Sequence, residues 1–184
     1  DSWADENGSI GKAYGYQLGV KHQYPEGEMD QVDRVLYDLK HNPASRRILT
    51  NIYTFEDLHE MALYPCAYSM TFNVSGKTLN GILNQRSQDV LAANNWNVCQ
   101  YAALLMMFAK STGFEPGELV HVIADAHIYD RHIDAVKRLI EKKPYPAPEM
   151  QVEDITDFYK FTKNSFTAVD YKYHEFTDKI PVAI

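Results

Sequence analysis

The sequence predicts an α+β fold, and three patterns carry this prediction. Two runs of strand-forming residues, 67–74 and 78–85, are joined by the short turn Ser75-Gly76-Lys77, which is typical of a hairpin. Residues 96–111 form a helical run that is apolar around most of its circumference, which predicts a buried central helix. Strands and helices are interspersed without a regular βαβ period, so α+β is the better class.

The other elements follow from hydrophobic periodicity and from turn-forming residues. A helical pattern covers residues 31–39 and stops at Asn42-Pro43, and Pro116-Gly117 predicts a turn. In chain order, the remaining expectations are a strand over 47–53, a helical turn over 55–61, a strand over 119–124, a helix over 133–142, an extended connector over 143–148 and a final edge strand over 150–152.

The composition is that of a globular protein with one domain over residues 1–184. A net charge of −7 argues against broad binding to nucleic acid or to an anionic membrane. No apolar run is long enough to span a bilayer, and the acidic first residues are unlike a signal peptide. Two cysteines cannot form a disulfide framework, so a reducing compartment is indicated, with the cytoplasm as the default.

Cys66 is the first candidate for chemistry. It follows Pro65 at the expected start of a strand, and a thiol becomes nucleophilic where nearby positive charge favours the thiolate. The alternative is a buried core residue, because free cysteine is among the most buried residue types. Cys99, on the apolar helix, fits that alternative well.

Three arginines are candidates for holding a phosphate group. Arg46 and Arg47 precede an expected strand, and Arg86 ends one. Arginine binds phosphate in a bidentate fork and stays charged, and an acidic protein needs such a local cluster to bind an anion. Solvated surface charges are the alternative, and spacing alone does not decide between the two.

The segment from Asp125 to His132 carries two histidines and two aspartates. It lacks the HExxH and Cys/His spacings of common metal sites, so no metal is predicted. His127 and Tyr129 alternate on an extended segment, so both can face one ligand. The thiol, the arginines and these polar groups permit an enzyme acting on a nucleotide without naming one.

Several motifs, taken in order, resemble the thymidylate synthase family across the whole chain. The matching residues are Trp3-Ala4-Asp5-Glu6-Asn7-Gly8, Tyr14-Gly15, Ser45-Arg46-Arg47, Pro65-Cys66, Gln85-Arg86-Ser87-Gln88-Asp89, Asn97, Asp125, His127-Ile128-Tyr129 and Pro181-Val182-Ala183-Ile184. The resemblance implies the family's mixed sheet, dimerisation through the face of that sheet, and covalent catalysis. Cys66 would add to C6 of deoxyuridine monophosphate (dUMP), and C5 would take a methyl group from the co-substrate 5,10-methylenetetrahydrofolate, giving dTMP and dihydrofolate.

Residue roles follow from the same resemblance. The catalytic residues would be Cys66, Arg86, Asp89, Asn97 and Tyr14. The dUMP-binding residues would be Arg46, Arg47, Arg86, Ser87, Gln88, Asp89, Asn97, His127, Ile128 and Tyr129. The residues contacting the folate would be Asp89, Trp96 and Ala183.

Within these sets the resemblance gives each side chain a part. Arg86 and Ser87 would grip the phosphate, and Arg86 would also stabilise the Cys66 thiolate. Arg46 and Arg47 would reach that phosphate from the other subunit of a homodimer. Asn97 would hydrogen-bond O4 and N3 of the pyrimidine, His127 and Tyr129 would hold the ribose hydroxyl, and Tyr14 would belong to the proton-handling network.

The chain departs from the family pattern in three places. Ala67 stands where many members have a histidine, and residues 92–97 lack the glycine and proline usual before the helix. We also expect the sequence to lack the family's N-terminal region, which supplies a further phosphate arginine, a catalytic glutamate and a tryptophan. Three other functions stay open, namely a dUMP hydroxymethylase, an inactive truncated form and an RNA-binding protein.

Overall fold

The computed structural model describes residues 4–180. Its helices are α1 (Gly15–Gly19), α2 (Gln31–His41), α3 (Asn94–Thr112) and α4 (Ile133–Ile140), with 3₁₀ turns at Phe55–Glu60, Asp130–His132, Phe158–Lys160 and Lys163–Ser165. Its strands are β1 (His22–Tyr24), β2 (Gly27–Met29), β3 (Leu49–Asn51), β4 (Ala67–Ser75), β5 (Thr78–Gln85), β6 (Gln88–Asp89), β7 (Glu115–Ile123), β8 (Ala126–His127), β9 (Glu149–Val152) and β10 (Phe166–Val169).

A mixed sheet with the strand order β3-β4-β5-β7 forms the centre of the described chain. The predicted hairpin is confirmed, because β4 and β5 pair antiparallel and Ser75 faces Thr78 across the turn at Gly76-Lys77. β7 then pairs parallel to β5, and α3 makes the crossover between them. A parallel pair needs such a crossover, so β5, α3 and β7 form a βαβ unit. The α+β prediction is confirmed, with this βαβ unit as part of the fold.

The two faces of this sheet differ in burial. On the inner face, buried residues of β4 and β5, such as Met70, Phe72 and Leu83, pack in one hydrophobic cluster with α2 and α3. The predicted buried helix is confirmed for the part of α3 that carries Tyr101 and Phe108, whereas its first turn is exposed. Cys99 was expected in the core, but it is exposed on that helix, so this prediction was wrong.

The outer face of the sheet is uncovered and partly apolar. Strand register aligns Leu49, Thr71, Ile82 and Val120 in one row across β3, β4, β5 and β7. Leu49, Ile82, Val120 and also Val122 are among the exposed large apolar residues. We call this surface the outer face below.

The prediction of a turn at Pro116-Gly117 was wrong, because both residues lie within β7. The register with β5 shifts there, since Leu79 pairs with Pro116 but Gly81 pairs with Leu119. A Cβ atom at Gly117 would lie 3.0 Å from the Leu79 carbonyl oxygen and closer still to two side chains. Glycine therefore serves close backbone approach at a bulge here rather than a change of chain direction.

Short elements account for the other differences. The hairpin of β1 and β2, the pair β6–β8 and strand β10 were not predicted, and β9 is followed by β10 rather than ending the fold. The expected strand over 47–53 pairs only over Leu49–Asn51. Residues 4–180 include no helix that combines the length and apolarity needed to cross a membrane.

The segment before α1 is held against residues 60–62 by backbone hydrogen bonds. Lys12 N–H donates to the Glu60 carbonyl at 3.1 Å, and Ala62 N–H donates to the Ile10 carbonyl at 3.1 Å. Gly11 lies between these bonds with φ +77°, and a Cβ atom there would clash directly with the Glu60 carbonyl oxygen. This close approach fixes the path of the chain that leads to Tyr14.

We therefore expect Gly11→Ala to destabilise the protein far more than Gly8→Ala. Gly8 has the same φ of +77°, but a Cβ atom there would have no neighbour within 4 Å, so it is the matched control. The backbone strain common to both costs about 1 kcal/mol, and the clash at Gly11 adds about 2 kcal/mol or more. Urea unfolding of the two variants measures the difference, and equal losses would contradict the close approach.

Tyr101 gives a second prediction, on the pH dependence of stability. Burial raises its pKa to about 12, and its hydroxyl donates to the Ala67 carbonyl at 3.4 Å. In the unfolded chain tyrosine titrates near pH 10, so the folded state holds this proton more tightly. The resulting stabilisation is complete below about pH 10 and is lost as the pH rises toward about 12, by about 3 kcal/mol in total.

Urea unfolding between pH 8 and pH 11.5 measures this loss. Tyr101→Phe should make the loss of stability above about pH 10 smaller, because it removes the titrating group. Tyr171→Phe is the control, since Tyr171 is exposed. An unchanged pH dependence in Tyr101→Phe would show that this hydroxyl does not ionise on unfolding.

Candidate active site

Cys66 directly precedes β4, where Arg86 and Tyr14 hold its backbone and Arg86 also contacts its side chain. Its carbonyl accepts a hydrogen bond from the Arg86 N–H at 2.9 Å, which extends the β4–β5 pairing by one step. Its N–H donates to the Tyr14 hydroxyl oxygen at 3.1 Å. Its thiol lies 3.8 Å from Nη2 of Arg86 and is half-buried.

Arg86 is held in place by two backbone carbonyls. Nε donates to the Pro65 carbonyl at 3.0 Å, and Nη2 donates to the Tyr64 carbonyl at 2.9 Å. No carboxylate within residues 4–180 is found among its partners, so its charge is left to act on the thiol and on any bound anion. The thiol of Cys66 thus has a positively charged group 3.8 Å away.

Tyr14 reaches the site in an unusual backbone conformation, with φ 43° just before α1. A non-glycine residue at positive φ costs about 1–3 kcal/mol, and such residues cluster at functional sites. Burial raises the pKa of its hydroxyl, so the group is neutral at physiological pH. The hydrogen bond from the Cys66 N–H holds the Tyr14 hydroxyl next to the residue that carries the thiol.

The short parallel pair β6–β8 brings Asp89 beside His127. Oδ1 of Asp89 accepts from the N–H groups of Leu91 and Ala92, both at 3.1 Å, and so shapes the turn that leads into α3. Oδ2 lies 3.9 Å from Nδ1 of the buried His132. The loop before α3 is therefore built around the Asp89 carboxylate, without the glycine and proline that the family pattern has there.

His127 and Tyr129 lie together. Their rings meet edge to face with centroids 5.0 Å apart, and Nδ1 of His127 lies 2.8 Å from the Asp125 carboxylate. A carboxylate only accepts, so the proton of a neutral His127 is on Nδ1, and Nε2 is left as an acceptor. Such a nitrogen can accept a hydrogen bond from a hydroxyl group of a ligand.

A buried layer of amides connects β5 to α3. Asn97 donates from Nδ2 to Oε1 of Gln88 at 3.4 Å, and Gln88 is in turn bonded to Gln85. Oε1 of Gln85 accepts from Nε2 of His121 at 2.8 Å, and burial lowers the pKa of His121. Gln88 is only 1% exposed, so its side chain is enclosed by this layer.

The other expected residues make no side-chain hydrogen bond to these groups within residues 4–180. Arg46 and Arg47 are exposed before β3, Ser87 and Ile128 flank the β6–β8 pair, and Trp96 is 78% exposed at the start of α3. Ala183, the tail motif that contains it and Trp3 lie outside the described residues. A groove of about 500 Å³ opens on the outer face, and Arg86 lines it together with Tyr53.

Gln85, His121, His132 and Tyr101 were not predicted as site residues. Gln85 carried a usable signal, because it continues the inward-facing series Leu79, Gly81, Leu83 with a polar side chain. A polar residue at an inward strand position needs buried partners. Residues 4–180 contain no group of three or more His, Cys, Asp or Glu side chains that could hold a metal ion.

Comparison with known proteins gives a consistent result. A family profile described as thymidylate synthase matches residues 1–184. The chain is 43% identical over 175 residues to a thymidylate synthase of Bacillus phage phi3T, and 44% identical over 175 residues to one of Bacillus licheniformis. Each alignment covers 94% of this chain and 63% of the relative.

The solved structure of a thermostable thymidylate synthase A from Bacillus subtilis superimposes with a TM-score of 0.89 at 40% identity. The match covers 99% of this chain and 65% of that one, so the chain spans about two thirds of the length of these relatives. The family profile matches all 184 residues of this chain, the sequence relatives are more than 40% identical to it, and the solved structure has the same fold. The chain therefore belongs to the thymidylate synthase family.

Proposed function

We propose that this protein methylates C5 of dUMP, with 5,10-methylenetetrahydrofolate as the one-carbon donor and Cys66 as the nucleophile. The observation that carries the proposal is the Arg86 guanidinium, 3.8 Å from the Cys66 thiol and without a carboxylate partner in residues 4–180. The same positive charge lies beside the thiol and can bind the phosphate of a nucleotide. Membership of the thymidylate synthase family supports this assignment.

The chemistry runs in balanced steps. The Cys66 thiolate forms a bond to C6 of the uracil ring, and the electron pair of the C5–C6 bond moves toward C5 and O4. C5 then attacks the methylene carbon of the folate as the bond from that carbon to N10 breaks, and N10 takes up a proton, so that C5 and N5 of the donor are joined through the methylene group. Loss of the C5 proton to water and breaking of the bond to N5, which takes up a proton, leave a methylene group on C5. A hydride from the folate reduces it to methyl as the thiolate leaves, giving dTMP and dihydrofolate.

The other residues bind and orient the nucleotide in this proposal. Arg86 and Ser87 bind the phosphate, and His127 and Tyr129 bind the ribose hydroxyl. Asn97 faces the pyrimidine edge, because its place in the first turn of α3 brings it next to the buried amide layer. Tyr14 donates its hydroxyl proton toward the reacting pyrimidine, since its oxygen already accepts from Cys66.

The folate is expected to cover this site. Asp89 lies between the pyrimidine residues and the loop before α3, and Trp96 is exposed on that side of the helix. Ala183 would complete the cover from the tail and exclude water from the reacting groups. No step needs a metal ion. The two cysteines of the sequence are free thiols, which fits action in the cytoplasm.

We also propose that the site is completed in a homodimer formed through the outer face. That face exposes apolar side chains in adjacent rows of the sheet, including Ile82, Val120 and Val122, and exposed apolar clusters of this kind mark protein interfaces. Arg86 lines the groove on the same face. Arg46 and Arg47 of the partner would then reach the phosphate bound at Arg86.

The first test is a covalent adduct with 5-fluoro-dUMP and 5,10-methylenetetrahydrofolate. Fluorine at C5 blocks the loss of the proton, so the ternary complex is trapped on the thiol. Intact mass spectrometry should show a gain equal to both ligands, lost in Cys66→Ala and kept in Cys99→Ala, where the exposed second cysteine is the matched control.

Two outcomes would overturn the proposal. An adduct that survives Cys66→Ala would assign the nucleophile elsewhere, and the absence of any adduct on the parent protein would remove the methyl-transfer assignment. Product mass after turnover with dUMP separates methyl from hydroxymethyl, and only a gain of a methyl group agrees with the proposal.

The second test concerns the shared site. Cys66→Ala and Arg47→Ala should each be nearly inactive, and mixing them after unfolding and refolding should restore about a quarter of the parental activity. Half of the dimers in an equal mixture are hybrids, and each hybrid has one site with both residues intact. No recovery in a mixture that is dimeric by sedimentation would place Arg47 and Cys66 of a site on one chain.

A further inference from the structure

We propose that Gln88 is a positioning residue that fixes the side-chain amide of Asn97 and thereby sets the preference for uracil over cytosine. This inference rests on the proposed function. It differs from direct binding by Gln88, because the Gln88 side chain is 1% exposed and lies behind Asn97. The direction of each hydrogen bond in the buried amide layer decides which group Asn97 presents to a ligand.

Backbone carbonyls give these bonds their direction. Gln88 donates from Nε2 to the Asp89 carbonyl at 3.1 Å, and a carbonyl can only accept. Oε1 of Gln88 is therefore the acceptor that faces the rest of the layer. A flipped Gln88 amide would bring two oxygens together at Asp89, so the carbonyl selects one orientation.

Gln85 holds that orientation from the other side. Its Nε2 donates to the Ser87 carbonyl at 2.8 Å and also to Oε1 of Gln88. Its own Oε1 accepts from Nε2 of His121 at 2.8 Å. Gln85 is 2% exposed, and every polar atom of its amide has a partner, so rotation of this amide would leave buried groups unsatisfied.

Asn97 is the end of this layer that lies toward the site. Nδ2 donates to Oε1 of Gln88 at 3.4 Å and to the Ala93 carbonyl at 3.3 Å, so the nitrogen of the amide faces the protein. Both bonds are long, and a hydrogen of Nδ2 can turn to O4 of a bound pyrimidine. Its Oδ1 accepts no hydrogen bond from residues 4–180. The amide is thus fixed with its nitrogen inward and its oxygen free to meet a ligand.

This orientation discriminates between the two pyrimidines. N3 of uracil carries a proton and can donate to Oδ1 of Asn97, whereas N3 of cytosine has a lone pair that would repel it. A flipped Asn97 amide would present an N–H group instead, which could donate a hydrogen bond to N3 of cytosine. Oε1 of Gln88 opposes that flip, because the flipped amide would set Oδ1 against another oxygen.

The test compares nucleotide binding by the parent protein and by Gln88→Met. Methionine has a similar length and volume but no strong acceptor for Asn97. Isothermal titration calorimetry should show dUMP binding weakened about tenfold and dCMP binding changed less than threefold, so that the ratio of the two affinities falls. Gln100→Met is the matched control, since Gln100 is exposed on α3, the helix that carries Asn97. This variant should leave the ratio of the two affinities unchanged.

A second background shows whether Gln88 acts through Asn97. In Asn97→Ala, adding Gln88→Met should change the ratio of dUMP to dCMP affinity less than twofold, because the amide that Gln88 fixes is absent. An equal fall in both backgrounds would mean that Gln88 acts by another route. A proportional weakening of dUMP and dCMP in the single variant would reduce Gln88 to a structural residue.

If Gln88→Met does not fold, a measurement on the unmodified protein tests whether the Asn97 amide is fixed. The side-chain N–H₂ of Asn97 should exchange with solvent at least tenfold more slowly than that of Asn95, which is exposed on the same helix turn. Equal exchange would overturn the inference. If the parent protein binds no dUMP and forms no adduct, the proposed function fails, whereas normal turnover with an unchanged affinity ratio in Gln88→Met removes only this inference.

Discussion

The carbonyls of Tyr64 and Pro65 hold the Arg86 guanidinium beside the Cys66 thiol, and the rest of the site is arranged around that pair. Cys66 directly precedes β4 and Arg86 directly follows β5 in an antiparallel hairpin, so strand register brings the two residues together. An arginine held by two backbone carbonyls needs no carboxylate to orient it. No carboxylate of residues 4–180 neutralises this charge, so the guanidinium can face both the thiol and a bound anion.

Behind this pair the protein uses hydrogen bonds where a core would usually be apolar. Gln85 and Gln88 are almost fully buried, and the amide of each is hydrogen-bonded to backbone or side-chain partners. A buried polar layer of this kind stabilises little unless it is completely satisfied, but it admits few alternative arrangements. The inner face of the sheet thus gives rigidity at the edge where the pyrimidine is proposed to bind.

The sequence patterns predicted the parts of the fold whose signal is local. The β4–β5 hairpin and the helices α2 and α4 come from periodicity and turn residues, and the prediction of α3 was right except at its exposed first turn. A Pro-Gly pair is typical of a turn, and this pattern gave the wrong prediction at Pro116-Gly117. Glycine is needed there because the backbone approaches Leu79, which belongs to a strand distant in sequence. Short pairings such as β6–β8 have no periodic signal at all.

For the candidate site, the family resemblance supplied the residues, and the structure added which groups their side chains contact. No spacing could show that Asp89 shapes the turn before α3, or that Gln88 lies behind Asn97. Those facts depend on which face of a strand meets which turn of a helix. Gln85 was the exception, because a polar residue in an inward series is visible in the sequence itself.

The parallel ladder between β5 and β7 has a consequence for how the chain folds. β4 and β5 are neighbours along the chain, so Cys66 and Arg86 can meet as soon as the hairpin forms. Pairing of Thr78 with Glu115 must wait until α3 has closed a long loop, and the β6–β8 pair waits with it. The Cys66 thiol and Arg86 would therefore come together before the rest of the candidate site.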